Sequence, residues 1–163
     1  MKRYIKSAVV TVKNADDNTR CAVARDPSTR LEILWQLAHD QNRYVRAYVA
    51  RNPNVTADIL KYLAEDSDGF VRSYVARAEG APEGLLNYLA DDEDAWTRRE
   101  VAANHNTSAD TLAKLAKDRD GNVRWFVADN PNTSQEILQL LLTDTDPDVA
   151  RHTREALSNG DPQ

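Results

Sequence analysis

The sequence predicts an all-α fold, an α-solenoid of two-helix units repeating every 26 residues, and three observations carry that prediction. Val-Ala recurs at 23–24, 49–50, 75–76, 101–102 and 127–128. Arginine recurs at 20, 46, 72, 98 and 124, and aspartate at 40, 66, 92, 118 and 144, with the same interval of 26. Leucine fills 34, 60, 86, 112 and 138, and again 37, 63, 89, 115 and 141. A constant period without insertions marks stacked units, none of which can bury its apolar stripe alone.

Taken in order, residues 1–12 lack the leucine columns and read as an N-terminal cap, with Tyr4, Ile5 and Val9 available to cover the first repeat. Residues 13–156 carry the repeats and 157–163 a tail, so 1–163 reads as a single repeat domain. The first helix of each unit is expected to start at Thr29, Thr107 or Thr133. Glu32, Asp110 or Glu136 follows three residues later, as in a reciprocal capping box. The same register sets Pro82 at a first helical position, where its missing N–H costs nothing. Ile59, Leu60, Leu63 and Ala64 then form one helical stripe. Asp-x-Asp segments such as Asp66-Ser67-Asp68 end this helix and cap the next. The second helix, for example Val45 to Ala50, is closed by Asn52-Pro53, because the residue before proline is pushed out of helical geometry. At the far end Thr153 replaces the Val column and Arg154 the Ala column, and the last helix is expected to stop near Gly160.

Bulk properties narrow the function classes. With 41% hydrophobic and 29% charged residues the chain can build a core, and with two Phe and one Met that core must come from Leu, Val, Ile and Ala. The net charge of −5 is uneven. Residues 1–81 hold 13 Lys/Arg against 10 Asp/Glu, a net of +3, and residues 82–163 hold 8 against 16, a net of −8. Coating of nucleic acid by the whole chain is disfavoured, while a local basic surface in the first half remains open. The single cysteine, Cys21, supports neither a disulfide framework nor a cysteine metal cluster. The basic start is followed by an apolar run too short for a signal peptide, and no stretch approaches a membrane span, so the cytoplasm is the default location.

The pattern Val-Arg-x-x-Val-Ala-x-Asn-Pro, followed by Thr/Ser and Leu-x-x-Leu-Ala-x-Asp, resembles the bacterial leucine-rich repeat variant family. Val45 to Pro53 and Asn130-Pro131-Asn132-Thr133 through Leu141 carry it best, and the resemblance covers roughly residues 14–157. It implies alternating α- and 3₁₀-helices in a right-handed superhelix related to HEAT arrays. Some members carry an iron–sulfur cluster on N-terminal cysteines. With Cys21 alone that feature does not transfer, and no cofactor or metal is expected.

At 100° per residue, Val45, Arg46, Val49 and Ala50 share one face of the second helix, and Tyr44, Ala47, Tyr48 and Arg51 the other. The outward set down the array contains Arg25, then Tyr44, Tyr48 and Arg51, then Phe70, Tyr74 and Arg77, then Trp96 and Arg99, and finally Trp125 and Phe126. Seven of the eleven aromatics therefore fall on a non-core face beside arginines, the composition of a protein hot spot or of a base-stacking platform. The arginine column at 20, 46, 72, 98 and 124 reads as structural, with packed stems and heads paired to the aspartate six residues earlier.

His39, His105 and His152 occupy three different repeat positions, no Gly-rich phosphate loop exists, and the Asp-x-Asp segments lack EF-hand spacing. The chain is thus expected to be a non-enzymatic, monomeric scaffold that binds a protein or peptide, acidic where it meets the N-terminal units. The alternative is nucleic-acid binding by the basic half. A HEAT-like DNA glycosylase, with Trp96, Trp125 and Asp129 in its cleft, ranks third.

Overall fold

A computed structural model describes residues 12–159; residues 1–11, which make up most of the expected N-terminal cap, and residues 160–163 of the tail lie outside the described residues. Among the described residues the regular elements are helices alone. They are α1 (Asp17–Arg25), α2 (Leu31–Leu37), α3 (Arg43–Ala50), α4 (Ala57–Leu63), α5 (Gly69–Ala76), α6 (Glu83–Leu89), α7 (Ala95–Ala103), α8 (Ala109–Leu115), α9 (Gly121–Asp129), α10 (Gln135–Leu141) and α11 (Pro147–Asn159). Even-numbered helices are the leucine helices of the repeat and odd-numbered ones the Val-Arg helices, so the fold is an α-solenoid of helix pairs. Both members of each pair are α-helical, where the family resemblance implies that one is 3₁₀. The tighter geometry is confined to helix ends, as in the i to i+3 bond from Val45 N–H to the Asn42 carbonyl at 3.1 Å.

Side-chain caps mark most helix starts, while α2 and α6 start after Arg30 and Pro82, which make no side-chain cap bond. Asp16, Asn42, Asp68, Asp94 and Asp120 cap the Val-Arg helices by accepting backbone N–H groups of their first turns. Leucine helices start one residue later than expected: the caps are Thr56, Ser108 and Ser134, and Pro82 is itself the N-cap residue. The threonines before them do another task. Thr29, Thr107 and Thr133 donate their hydroxyls to the carbonyls of Val23, Val101 and Val127 at 2.5–2.6 Å, tying the end of one helix to the start of the next.

The chain divides into two compact units, Met1–Ala81 and Pro82–Gln163. In the first, α3 lies between α1 and α5, and Leu34, Leu37, Leu60, Leu63, Val45 and Val49 are fully buried. In the second, α9 lies between α7 and α11 over Leu86, Leu89, Leu112, Leu115 and Leu141. Each such side chain contributes on the order of 1.5–3 kcal/mol of burial. In α11, Thr153 is buried and returns its hydroxyl to the Val149 carbonyl at 2.8 Å, while Arg154 in the Ala column is exposed.

Candidate binding surface

The arginine column is consumed by the fold. Arg20, Arg46, Arg98 and Arg124 place Nε 2.6, 2.6, 2.6 and 2.7 Å from Oδ2 of Asp40, Asp66, Asp118 and Asp144. A second guanidinium nitrogen reaches the other carboxylate oxygen, at 2.8 Å for Arg124 and Asp144, so each pair is the two-pronged kind that fixes geometry. The expected partner, the aspartate six residues earlier, supplies its backbone carbonyl instead, at 2.7–2.8 Å for Arg46, Arg98 and Arg124. The carboxylate comes from the next repeat, which makes the column a set of stitches between repeats. Its bond to Arg124 holds the Asp144 carboxyl below its ordinary value. Burial pushes Asp118 up, but its bonds with Arg98 and the Asp120 N–H bring it below normal on balance. These arginines offer no free charge to a phosphate backbone.

The outward set of the first unit forms one connected surface. Tyr44 meets Phe70 edge-on at 5.3 Å, Phe70 meets Tyr74 at 4.7 Å, and Tyr48 meets Tyr74 edge-on at 6.3 Å. Arg25 lies 5.1 Å over the Tyr48 ring. Tyr44 is exposed and Tyr48, Phe70 and Tyr74 are half-buried, so these rings both pack and present area. Arg25, Arg51 and Arg77 are exposed at the C-terminal ends of α1, α3 and α5. Among the described residues, no carboxylate pairs with Arg25 or Arg51. Ala47 and its equivalent Ser73, expected to point outward, are buried, Ala47 on the helix that lies between α1 and α5.

One member of this surface escapes the helical-wheel reading. Arg43 lies 5.1 Å over Tyr44 and 5.0 Å over Phe70 and reaches Asp68 at 3.4 Å. Its column otherwise holds Asp17, Gly69, Ala95 and Gly121, so a single arginine beside an aromatic column was the available signal.

In the second unit the equivalent positions are internally occupied. Glu100 stands where the first unit has Tyr48 and Tyr74, is buried, and binds Arg99 at 3.0 Å. The Arg99 guanidinium lies 3.3 Å over Trp96 and 5.3 Å from Phe126. Trp125 packs edge-on against Phe126 at 4.9 Å and stacks on His152 at 3.8 Å, whose Nε2 reaches Asp129 at 3.2 Å. Arg99 is thus neutralised in place, the Trp125–His152 stack joins α9 to α11, Arg99 of α7 lies against Phe126, and Trp96 is largely exposed.

A second ring group, absent from the expected set, joins Trp35 of α2, His39 just beyond its end and Tyr62 of α4: His39 stacks on Tyr62 at 4.5 Å and Trp35 lies 6.0 Å from Tyr62. Beside it, Lys13, Arg20, Glu32, Trp35 and Gln36 line a hollow of about 920 Å³. Arg20 there is already bound by Asp40 and Asp17. Cys21 is half-buried, and burial first, then the Asp17 and Asp40 carboxylates, push its thiol up. Among the described residues, no group of three His, Cys, Asp or Glu stands where it could hold a metal ion, and no helix is long and apolar enough to cross a membrane.

Among solved structures the chain is similar to one described as a leucine-rich repeat variant with a novel repetitive protein structural motif, at 26% identity over 90% of this chain and 68% of that one, with a TM-score of 0.42. It is also similar to the crystal structure of an engineered protein, at 19% identity over 95% of each chain, with a TM-score of 0.50. No curated protein matches the chain significantly. The model of the Leucine Rich Repeat Variant domain matches residues 19–79 and 95–156. With the repeat register and its helix pairs, that match makes the chain a member of the Leucine Rich Repeat Variant family.

Proposed function

We propose that the chain is a binding scaffold without catalytic groups, and that it holds an acidic protein or peptide on the Val-Arg helices of its first unit. One observation carries this reading: Arg25, over the Tyr48 ring, and Arg51, one turn after Tyr48, are exposed and meet no carboxylate among the described residues, while Arg20, Arg46, Arg98 and Arg124 are locked in two-pronged ion pairs. Rings packed against one another present apolar area at little ordering cost, and charges beside them set specificity and association rate. The net of +3 over residues 1–81 favours an acidic partner there.

Fluorescence anisotropy with a labelled Glu/Leu-rich peptide and a labelled single-stranded oligonucleotide tests the reading. The peptide should bind saturably, Arg25→Glu with Arg51→Glu should weaken it by about tenfold or more, and Lys61→Glu, on the leucine-helix side, should leave it unchanged. Tighter binding of the oligonucleotide, falling steeply with salt, would move the function to nucleic acid.

A further inference from the structure

We infer that the hollow bordered by the leucine helix α2 is a second binding site, for a small aromatic anion that carries a hydrogen-bond donor. The repeat provides an internal comparison, because a hollow of the same kind occurs three repeats on. In the second unit Asp91, Lys114, Arg98 and Asp118 line a hollow of about 490 Å³. In the first unit Lys13, Gln36, Arg20 and Asp40 hold the same repeat positions and line one of about 920 Å³. Both keep the column pair, Arg98 to Asp118 and Arg20 to Asp40, each at 2.6 Å. The other two positions differ. Lys114 Nζ lies 2.5 Å from Asp91 Oδ2, so the second hollow balances its charge from within. In the first, Lys13 is exposed and meets no carboxylate among the described residues, and the buried Oε1 of Gln36 accepts no hydrogen bond among them. Glu32, the remaining carboxylate on the wall, lies 3.5 Å from Arg30.

Each unmatched group specifies one feature of the occupant. Buried acceptors in folded proteins are almost always paired, so the Gln36 oxygen calls for an N–H or O–H from the ligand. The Lys13 ammonium, without the countercharge that its counterpart position has in the second unit, calls for an anion. The wall calls for a flat ring. Trp35 and His39 both line the hollow, the His39 Nδ1–H donates to the Trp35 carbonyl at 2.7 Å, and the imidazole stacks on Tyr62 at 4.5 Å. These rings are held in place before anything binds, and aromatic walls favour stacked or edge-on aromatic partners. The second unit has Ala113 and Lys117 at those two positions, so the rings and the open Lys–Gln positions occur together in the first. A few placed polar groups beside aromatic walls, in a volume within roughly 300–1,000 Å³, are what small-ligand sites have in common. An aromatic acid and a nucleoside monophosphate both supply the ring, the donor and the anion.

The experiment is titration calorimetry of the full chain with 4-hydroxyphenylacetate, its neutral amide, phenylacetate and adenosine monophosphate. The hydroxyphenyl acid should bind saturably and about tenfold more tightly than the amide, which lacks the charge, or phenylacetate, which lacks the donor. Tighter binding of adenosine monophosphate than of the acid assigns the site to a nucleotide, and the reverse to an aromatic acid. Lys13→Asp with Gln36→Lys installs the Asp91–Lys114 pair at the same repeat positions. It should abolish binding of the preferred probe without lowering the urea midpoint. Lys13→Gln alone should weaken that probe about tenfold, and Lys13→Arg should keep its affinity. The Glu/Leu-rich peptide should bind the double variant as it binds the parent, which separates this site from the surface proposed above. Equal binding of acid and amide, unchanged affinity in the Lys13→Gln and double variants, or no binding of any probe at millimolar concentration would overturn the site.

Discussion

At the scale of single residues, two kinds of arginine share the same helices and should answer mutation in opposite ways. Arg124 has a side chain 13% exposed, bound to Asp144 through two nitrogens and to the Asp118 carbonyl through a third. Arg124→Ala should cost roughly 2 kcal/mol by leaving the Asp144 carboxylate, itself 6% exposed, without its cation. Arg51→Ala, which removes an exposed side chain, should cost under about 0.5 kcal/mol. Urea unfolding at neutral pH measures both. The folded-state pKa of Asp144 is depressed, so its contribution is present above the ordinary value of 3.8 and lost as pH falls through the lower folded value. The penalty of Arg124→Ala should therefore shrink in acid, and a penalty that does not change with pH would mean the pair is incidental. Tyr74 is a poorer probe than the guanidiniums, because it packs on both Phe70 and Tyr48 and its loss would disturb the fold. That the arginine column is structural was legible from its place among Val, Val and Ala. Its partner was not, because helical spacing ranks residues within one helix and the true partner lies 20 residues on, in the next repeat.

At the scale of elements, the turns after α3 and α9 carry a second set of stitches. The Asn52 amide donates to the carbonyls of Ala24 and Asp26 at 2.8 Å, and Asn130 donates to Ala102 and Asn104 at 2.6 and 2.9 Å. Asn54 and Asn132 repeat the pattern on the following carbonyls, from Pro27 and His105 onward. The sequence shows Asn-Pro as a helix stop, but the reach of the asparagine into the previous repeat appears only once the pairs are stacked. The third turn, Ala78-Glu79-Gly80-Ala81, has lost both asparagines. Its backbone keeps the same bond, Ala81 N–H to Ala78 carbonyl at 3.0 Å, as Val55 to Asn52 and Thr133 to Asn130. A Cβ at Gly80 would meet nothing within 4 Å. Ala78→Asn with Gly80→Asn should therefore raise stability by about 1 kcal/mol, and a lowered urea midpoint would show that this turn differs in kind. The one-residue error in the leucine-helix starts has a related cause: Thr133 and Ser134 both suit an N-cap, and only the bond from Thr133 to Val127 assigns the second to the cap.

At the scale of the whole molecule, the two compact units carry net charges of opposite sign. The net of +3 over residues 1–81 and −8 over 82–163 is legible in the sequence, and the chain divides into its two compact units after Ala81. The aromatic columns were legible as well, but not their division of labour. The sequence spreads eleven surface residues over five repeats, whereas the structure gives them different partners: among the described residues Arg25 and Arg51 meet no carboxylate, while Arg99 is bound by Glu100 over Trp96 and Trp125 stacks on His152. Such pairing depends on which neighbour each side chain meets, and no periodicity reports it. On the function proposed above, the Val-Arg helices of the first unit are the working surface. Amide chemical-shift mapping of the nitrogen-15-labelled chain during titration with the Glu/Leu-rich peptide tests it most directly. The largest shifts should fall at Arg25, along Tyr44 to Arg51 and along Phe70 to Arg77. Shifts concentrated on Leu31–Leu37 and Ala57–Leu63, or within Pro82–Gln163, would contradict it.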